Sequence, residues 1–204
     1  MTHLTTPMPT SAPILNRRTL LLGGLAVLAA CDHQPRAVFK GVDLSDASYT
    51  GEFRLKDAQG RERTIADYRG RVVLLHFGFT QCPDACPTAL ARAAQIRALM
   101  GKDRDLLQVL FVTLDPERDT PDMMKAYTAA FDPTIVPLFG DLQTTKKTAD
   151  NFKVFYRKVP TGSSYTLDHS LLSYAFDPKG QLRVALRHNM AAADCVSDLR
   201  QLLG

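Results

Sequence analysis

Three things are scarce in this 204-residue chain. No run of like charge exceeds Lys146-Lys147, although 25 basic and 21 acidic residues are present. That even mixture excludes the basic stripe that nucleic-acid binding requires. No apolar run reaches the ~20 residues of a membrane-spanning helix; Leu20 to Ala30 is about eleven residues. Cysteine occupies only four positions, Cys31, Cys82, Cys86 and Cys195, so each has to be weighed singly. There is no internal repeat, which excludes a repeat architecture.

The short apolar run has a context. It follows a Thr/Pro-rich, uncharged leader and the residues Asn16-Arg17-Arg18, and it ends in Leu28-Ala29-Ala30-Cys31. A basic start, a short apolar middle and small residues before a cut site form the pattern of a secretory signal. Leu-Ala-Ala-Cys also resembles a bacterial lipobox, which makes Cys31 the lipidation site and the mature N-terminus. Asp32 resembles the signal that keeps lipoproteins on the inner membrane. Arg17-Arg18 is a partial match to a twin-arginine signal and equally at home in a Sec signal. The expected organisation is a signal peptide over 1–30, a tether over 31–48 and one domain over 49–204. The chain then faces the bacterial periplasm from a lipid anchor on the inner membrane. Without the two signal arginines, 23 of the 25 basic residues remain against 21 acidic ones.

Periodicity gives a coarse map. Gly51–Leu55 and Glu62–Ile65 flank Ala58-Gln59-Gly60 and predict an N-terminal hairpin. The β-branched and aromatic run Val72–Phe79 predicts a central buried strand, and Leu106–Leu114 a second. Helices are predicted over Pro87–Met100, from the cap Thr120-Pro121 to about Phe131, over Thr144–Lys158 and over Ala191–Leu203. Leu171–Phe176 and Leu182–Leu186 flank Asp177-Pro178-Lys179-Gly180 as a further hairpin. This order predicts an α/β fold, a central mixed sheet with helices on both faces. A strand, a cysteine pair and then a helix is the thioredoxin-like arrangement.

The pair lies in Phe77-Gly78-Phe79-Thr80-Gln81-Cys82-Pro83-Asp84-Ala85-Cys86-Pro87. Residues before proline avoid helical angles, and proline favours the first helical position, so Cys86 is expected at the helix cap. Its thiolate would there be stabilised by unpaired amides and the helix dipole. A structural disulfide, a redox pair and a metal chelate all remain open. The short loop argues against a mere staple, and three intervening residues widen the bite toward two thiolates on one ion.

A third ligand would decide, and the chain has five histidines. His3 is in the leader, and His33 follows the lipidation site. His76, opposite Phe77 and Phe79 on its strand, reads as a core residue, and His188 as a surface one. His169, in Tyr165-Thr166-Leu167-Asp168-His169-Ser170, is expected in a polar loop that approaches the cysteine turn.

Three segments, FGFTQCPDACP, VTLDPERDTP and LDHSLLSYAFDPKG, occur in this order. Together they resemble the Sco/SenC family of copper-binding cytochrome oxidase assembly proteins over residues 45–204. The resemblance implies a thioredoxin-like fold and one copper ion on Cys82, Cys86 and His169, with Cu(I) favoured and Cu(II) allowed. Asp115 and Asp168 take supporting roles. It implies a metallochaperone rather than an enzyme, with cytochrome c oxidase subunit II as recipient. Other periplasmic copper chaperones or thiol–disulfide oxidoreductases are further candidate partners. Gln81 stands where many members carry histidine. Cys195 is an addition that, with Val196, Leu199 and Leu202, fits the buried face of the last helix. Two thiolates and an imidazole suit Cu(I). A thiol–disulfide reductase acting on the recipient's cysteines would need Cys82 and Cys86 but not His169. A peroxidase-like relative would need a Thr-x-x-Cys context, whereas Thr80 lies two residues before Cys82.

Overall fold

The computed structural model describes residues 38–204. The signal peptide, Cys31, Asp32, His3 and His33 lie outside the described residues. The domain is built on two strands that are buried along their whole length, β4 (Val72–Gly78) and β5 (Leu107–Thr113). They run parallel, with Val72 opposite Leu107 and Gly78 opposite Thr113. Strands covered on both faces have no polar alternation, which is why both read as continuous apolar runs.

Around them an eight-stranded mixed sheet is ordered β1-β10-β9-β4-β5-β6-β2-β3. Its other strands are β1 (Val42–Asp43), β2 (Leu55–Asp57), β3 (Glu62–Arg63), β6 (Val136–Phe139), β9 (Ser173–Phe176) and β10 (Leu182–Leu186). β6 is parallel to β5, whereas β9 is antiparallel to β4. Four helices are described: α1 (Ala85–Met100), α2 (Pro121–Ala129), α3 (Leu142–Asn151) and α4 (Ala192–Gln201). Leu90, Ile96, Met124, Cys195 and Leu199 of α1, α2 and α4 share one core with Val72, Leu74 and Val109. Ala149 and Phe152, at the end of α3, share the other with Val73, Leu75, Phe77 and Val112. Helices thus cover both sheet faces in the thioredoxin-like arrangement expected. None of the described helices is long and apolar enough to cross a membrane.

Both hairpins flanking the central strands form. At the first, the Asp57 carboxylate accepts the N–H groups of Gln59 and Arg61 at 3.0 Å each, a side-chain turn that brings β2 and β3 together. Ile65, expected at the end of β3, instead opens a short 3-10 helix (Ile65–Tyr68) because Thr64 and Asp67 form a capping box. Thr120 and Asp141 cap α2 and α3 by accepting the amides of Met123 and Thr144.

Two expectations need correction, and one strand was not anticipated. The tether does not extend to residue 48: the N–H groups of Lys40 and Gly41 donate to the buried Asp198 carboxylate of α4 at 2.9 and 2.8 Å, and Val42–Asp43 pairs with β10. The strand β6 was masked in the sequence by Pro137, which lowers a strand reading. The third helix stops at Asn151 rather than Lys158. Lys153 there has φ +54°, and Phe152 and Val154, two apart, both turn into the core. The chain then forms a separate two-stranded sheet of β7 (Tyr156–Thr161) and β8 (Ser164–His169).

Candidate metal centre

β4 delivers the cysteine pair. Its last residue, Gly78, faces the Cys86 sulfur so closely that a Cβ there would lie 2.6 Å from Sγ and 2.9 Å from the Phe111 ring. Past it the chain turns, with the Cys82 N–H donating to the Phe79 carbonyl at 3.3 Å. Asp119 secures that turn, accepting from the Thr80 hydroxyl at 2.5 Å and the Thr113 hydroxyl at 2.6 Å while only 4 % exposed. Sequence reasoning gave Asp119, within the segment VTLDPERDTP, no role, because its contact to Thr80 spans 39 positions.

The cysteines differ from expectation in position. Asp84, not Cys86, is the N-cap, and Cys86 is the second residue of α1, buried at 3 % exposure. The pre-proline bias against helical angles is a preference, and the first helical turn accommodates both Cys86 and Pro87. The consequence is electrostatic. The Cys86 N–H donates to Cys82 Sγ at 3.4 Å, so the first-turn amide serves Cys82. The larger effect comes from the Cys86 side chain: its thiol, hydrogen-bonded to the Cys82 sulfur, pulls the half-buried Cys82 thiol down to about 3 against the opposing effect of burial, and the backbone N–H adds a smaller share. The same thiol hydrogen bond, and then burial, hold the Cys86 thiol far above the ordinary thiol range. The lowered thiol is that of Cys82, not Cys86.

His169 is not in a loop but is the last residue of β8, paired with Tyr156. Its Nδ1 lies 2.8 Å from the Ser170 carbonyl oxygen. A carbonyl only accepts, so in the neutral ring the proton is on Nδ1 and the Nε2 lone pair is bare. Nε2 faces Cys86 Sγ at 3.7 Å, and the ring stands edge-on to Phe79. Cys82 Sγ, Cys86 Sγ and a His169 ring nitrogen all lie within 4.8 Å of one another. Bonds of about 2.0–2.3 Å to a shared ion would place such donors roughly 3.3–4 Å apart. Cys82, Cys86 and Cys195 are all free thiols.

The remaining candidates are placed as follows. Asp115, 1 % exposed, accepts from Arg118 Nε at 2.5 Å and from the Tyr165 hydroxyl at 2.8 Å. Asp168 is exposed and paired with Arg157 at 3.2 Å, on the far side of β8 from the three donors. His76 is buried, its Nδ1 2.7 Å from Ser173 Oγ and its Nε2 without a protein partner. His188 is half-buried rather than on the surface; with His76, Cys86 and His169 it lines a cavity of about 10 Å³, room for a single water. Cys195 is fully buried in the α4 core, as its spacing indicated.

With that geometry in hand, similarity to known proteins is informative. The sequence profile of the SCO1/SenC family matches residues 42–204. The Saccharomyces cerevisiae mitochondrial protein SCO2 is 37 % identical over 155 residues, which cover 74 % of this chain and 52 % of that protein. The chain therefore spans about half the length of this curated relative. Among solved structures, Bradyrhizobium japonicum ScoI with copper bound has a TM-score of 0.68 and 37 % identity, covering 74 % of this chain and 98 % of that one. Apo Sco1 from Thermus thermophilus has a TM-score of 0.73 and 32 % identity, covering 83 % and 100 %. The Cys82, Cys86 and His169 cluster thus sits on the fold of a known family, and this chain belongs to the SCO1/SenC family.

Proposed function

We propose that this chain is a metallochaperone: it holds one copper ion on Cys82 Sγ, Cys86 Sγ and His169 Nε2 and passes it to the dinuclear copper centre of cytochrome c oxidase subunit II. The observation that carries this reading is the Cys86–His169 separation of 3.7 Å, with the Nε2 lone pair bare. That is the spacing two donors take on one ion. Two sulfurs and one nitrogen form a soft set that suits Cu(I) and still allows Cu(II). Copper bound to the similar ScoI of Bradyrhizobium japonicum supports the choice of metal. Three donors leave a coordination position open, so an incoming thiolate can attach before the old ones leave.

Leu28-Ala29-Ala30-Cys31 and Asp32 support a lipid anchor on the periplasmic face of the bacterial inner membrane. An anchor keeps donor and acceptor on one surface and raises their effective concentration. Replacing Cys31 by Ser would release the protein to the soluble fraction with copper binding unchanged; a Cys31→Ser protein that stays on the membrane would contradict a lipid anchor.

The direct test is an anaerobic Cu(I) titration of the reduced mature protein. It should saturate at one copper per chain, and Cys82→Ser or Cys86→Ser should each abolish tight binding. A wild-type protein that takes up no copper would leave the second reading, a thiol–disulfide reductase acting on the recipient's cysteines. The depressed Cys82 thiol beside a protonated Cys86 favours that reading too.

A further inference from the structure

The third donor reaches the site from a different body than the other two. Cys82 and Cys86 sit on the turn from β4 into α1, inside the main sheet's scaffold. His169 ends a two-stranded hairpin that hydrogen-bonds to no strand of that sheet. Alternate residues of a strand share a face, so Tyr165, Leu167 and His169 turn toward the domain together. How that face docks sets where the imidazole stands.

The docking runs through one loop. Arg118 donates from Nε to Asp115 at 2.5 Å and from Nη1 to the Tyr165 carbonyl at 2.7 Å, and its guanidinium lies 3.7 Å from the Tyr165 ring centroid. The Tyr165 hydroxyl closes the circuit on the other oxygen of Asp115 at 2.8 Å. Asp115 is itself fixed, its N–H bonded to Thr113 Oγ1 at 2.9 Å at the end of β5. Lys158 of β7 pairs with Glu117 of the same loop. Asp119, the residue after Arg118, holds Thr80, two residues before Cys82. Adjacent side chains of one loop therefore grip the two halves of the site, Arg118 the histidine half and Asp119 the cysteine half. A guanidinium that is both hydrogen-bonded in a fork and stacked on a ring holds a fixed geometry that a lysine would not reproduce.

We propose that Arg118, clamped between Asp115 and Tyr165, is a positioning residue that latches His169 over the cysteine pair and so sets how fast the copper leaves; this rests on the copper reading above. Opening the latch breaks the hydrogen bonds of Arg118 to the hairpin and the copper–nitrogen bond, and no copper–sulfur bond. No electron moves, the two thiolates keep the ion, and a position opens for the recipient's ligand.

The test loads the protein with Cu(I) and follows transfer to excess bathocuproine disulfonate. Arg118→Met keeps the apolar length of the side chain and removes the fork; it should speed transfer about tenfold, within the range of couplings inside one hydrogen-bond network. Tyr165→Phe keeps the ring and removes one bond, and should act in the same direction more weakly. In a His169→Ala background neither substitution should speed transfer further. Wild-type transfer rates in both variants, or equal acceleration with His169 absent, would overturn the latch. A second arm needs no copper: in the metal-free protein, hydrogen exchange of the β7–β8 amides should quicken in Arg118→Met while α1 and α4 stay unchanged, and unaltered hairpin exchange would overturn it. A chain that takes up no copper would sink the copper reading alone, since the exchange arm still decides the latch.

Discussion

The backbone N–H of Cys86 is aimed at the sulfur of Cys82, 3.4 Å away. The helix thus spends its first-turn amide on the cysteine outside it. Placement within the helix buries Cys86 and its thiol is pushed up, while the half-buried Cys82 thiol is pulled down.

The first prediction concerns reactivity. A thiol pulled down to about 3 is fully ionised throughout the neutral range. Iodoacetamide labelling of Cys82 in the reduced protein should therefore change by less than about twofold between roughly pH 5.5 and 8, whereas an ordinary thiol gains about tenfold per unit. Cys86 should label far more slowly at every pH. Labelling of Cys82 that climbs tenfold per unit would mean that Cys86 is not its donor.

Gly78 carries the second. A Cβ 2.6 Å from Cys86 Sγ and 2.9 Å from the Phe111 ring has no room, because both neighbours are buried. Gly78→Ala should cost about 1–3 kcal/mol as overpacking, read as a lower urea midpoint, and should weaken copper binding by moving Cys86. Wild-type copper affinity in a destabilised Gly78→Ala protein would show that Gly78 serves the core and not the site.

His76 carries the third. Burial pushes its imidazole from 6.5 down to about 3, so it stays neutral in the folded state while the unfolded chain takes up a proton below about 6.5. Its contribution to stability is present above that value and is lost as the pH falls toward 3. Relative to a His76→Leu variant, the wild type should lose about 1.4 kcal/mol per pH unit below 6.5. Parallel urea-stability profiles for the two proteins between about pH 7 and 5 would contradict this.

The parts of the molecule that were legible before folding are those whose signal is local. Val72–Gly78 and Leu107–Thr113 announced themselves as apolar runs because both faces are covered. The pairing of a proline with each cysteine marked the turn into α1, although not the residue at its cap. The β7–β8 hairpin was hidden because Asn151-Phe152-Lys153-Val154 carries on smoothly from a helical pattern; only the left-handed Lys153 reveals the break, and a lysine gives no sign of it in advance. His169 was singled out, but its placement on a strand end, and the proton held on Nδ1 by the Ser170 carbonyl, depend on that hairpin. Arg118 and Tyr165 lie 47 positions apart, and no local pattern joins them. Asp115, expected to support the site, is hydrogen-bonded to both.

The copper-donor account stands most directly on His169. In cells carrying His169→Ala and grown at low copper, it predicts loss of cytochrome c oxidase activity, while the disulfide of Cys82 and Cys86 still forms and is reduced as in the wild type. A strain carrying His169→Ala that assembles active oxidase at low copper as well as the wild type would contradict the account, and would leave the cysteine pair as a reductase.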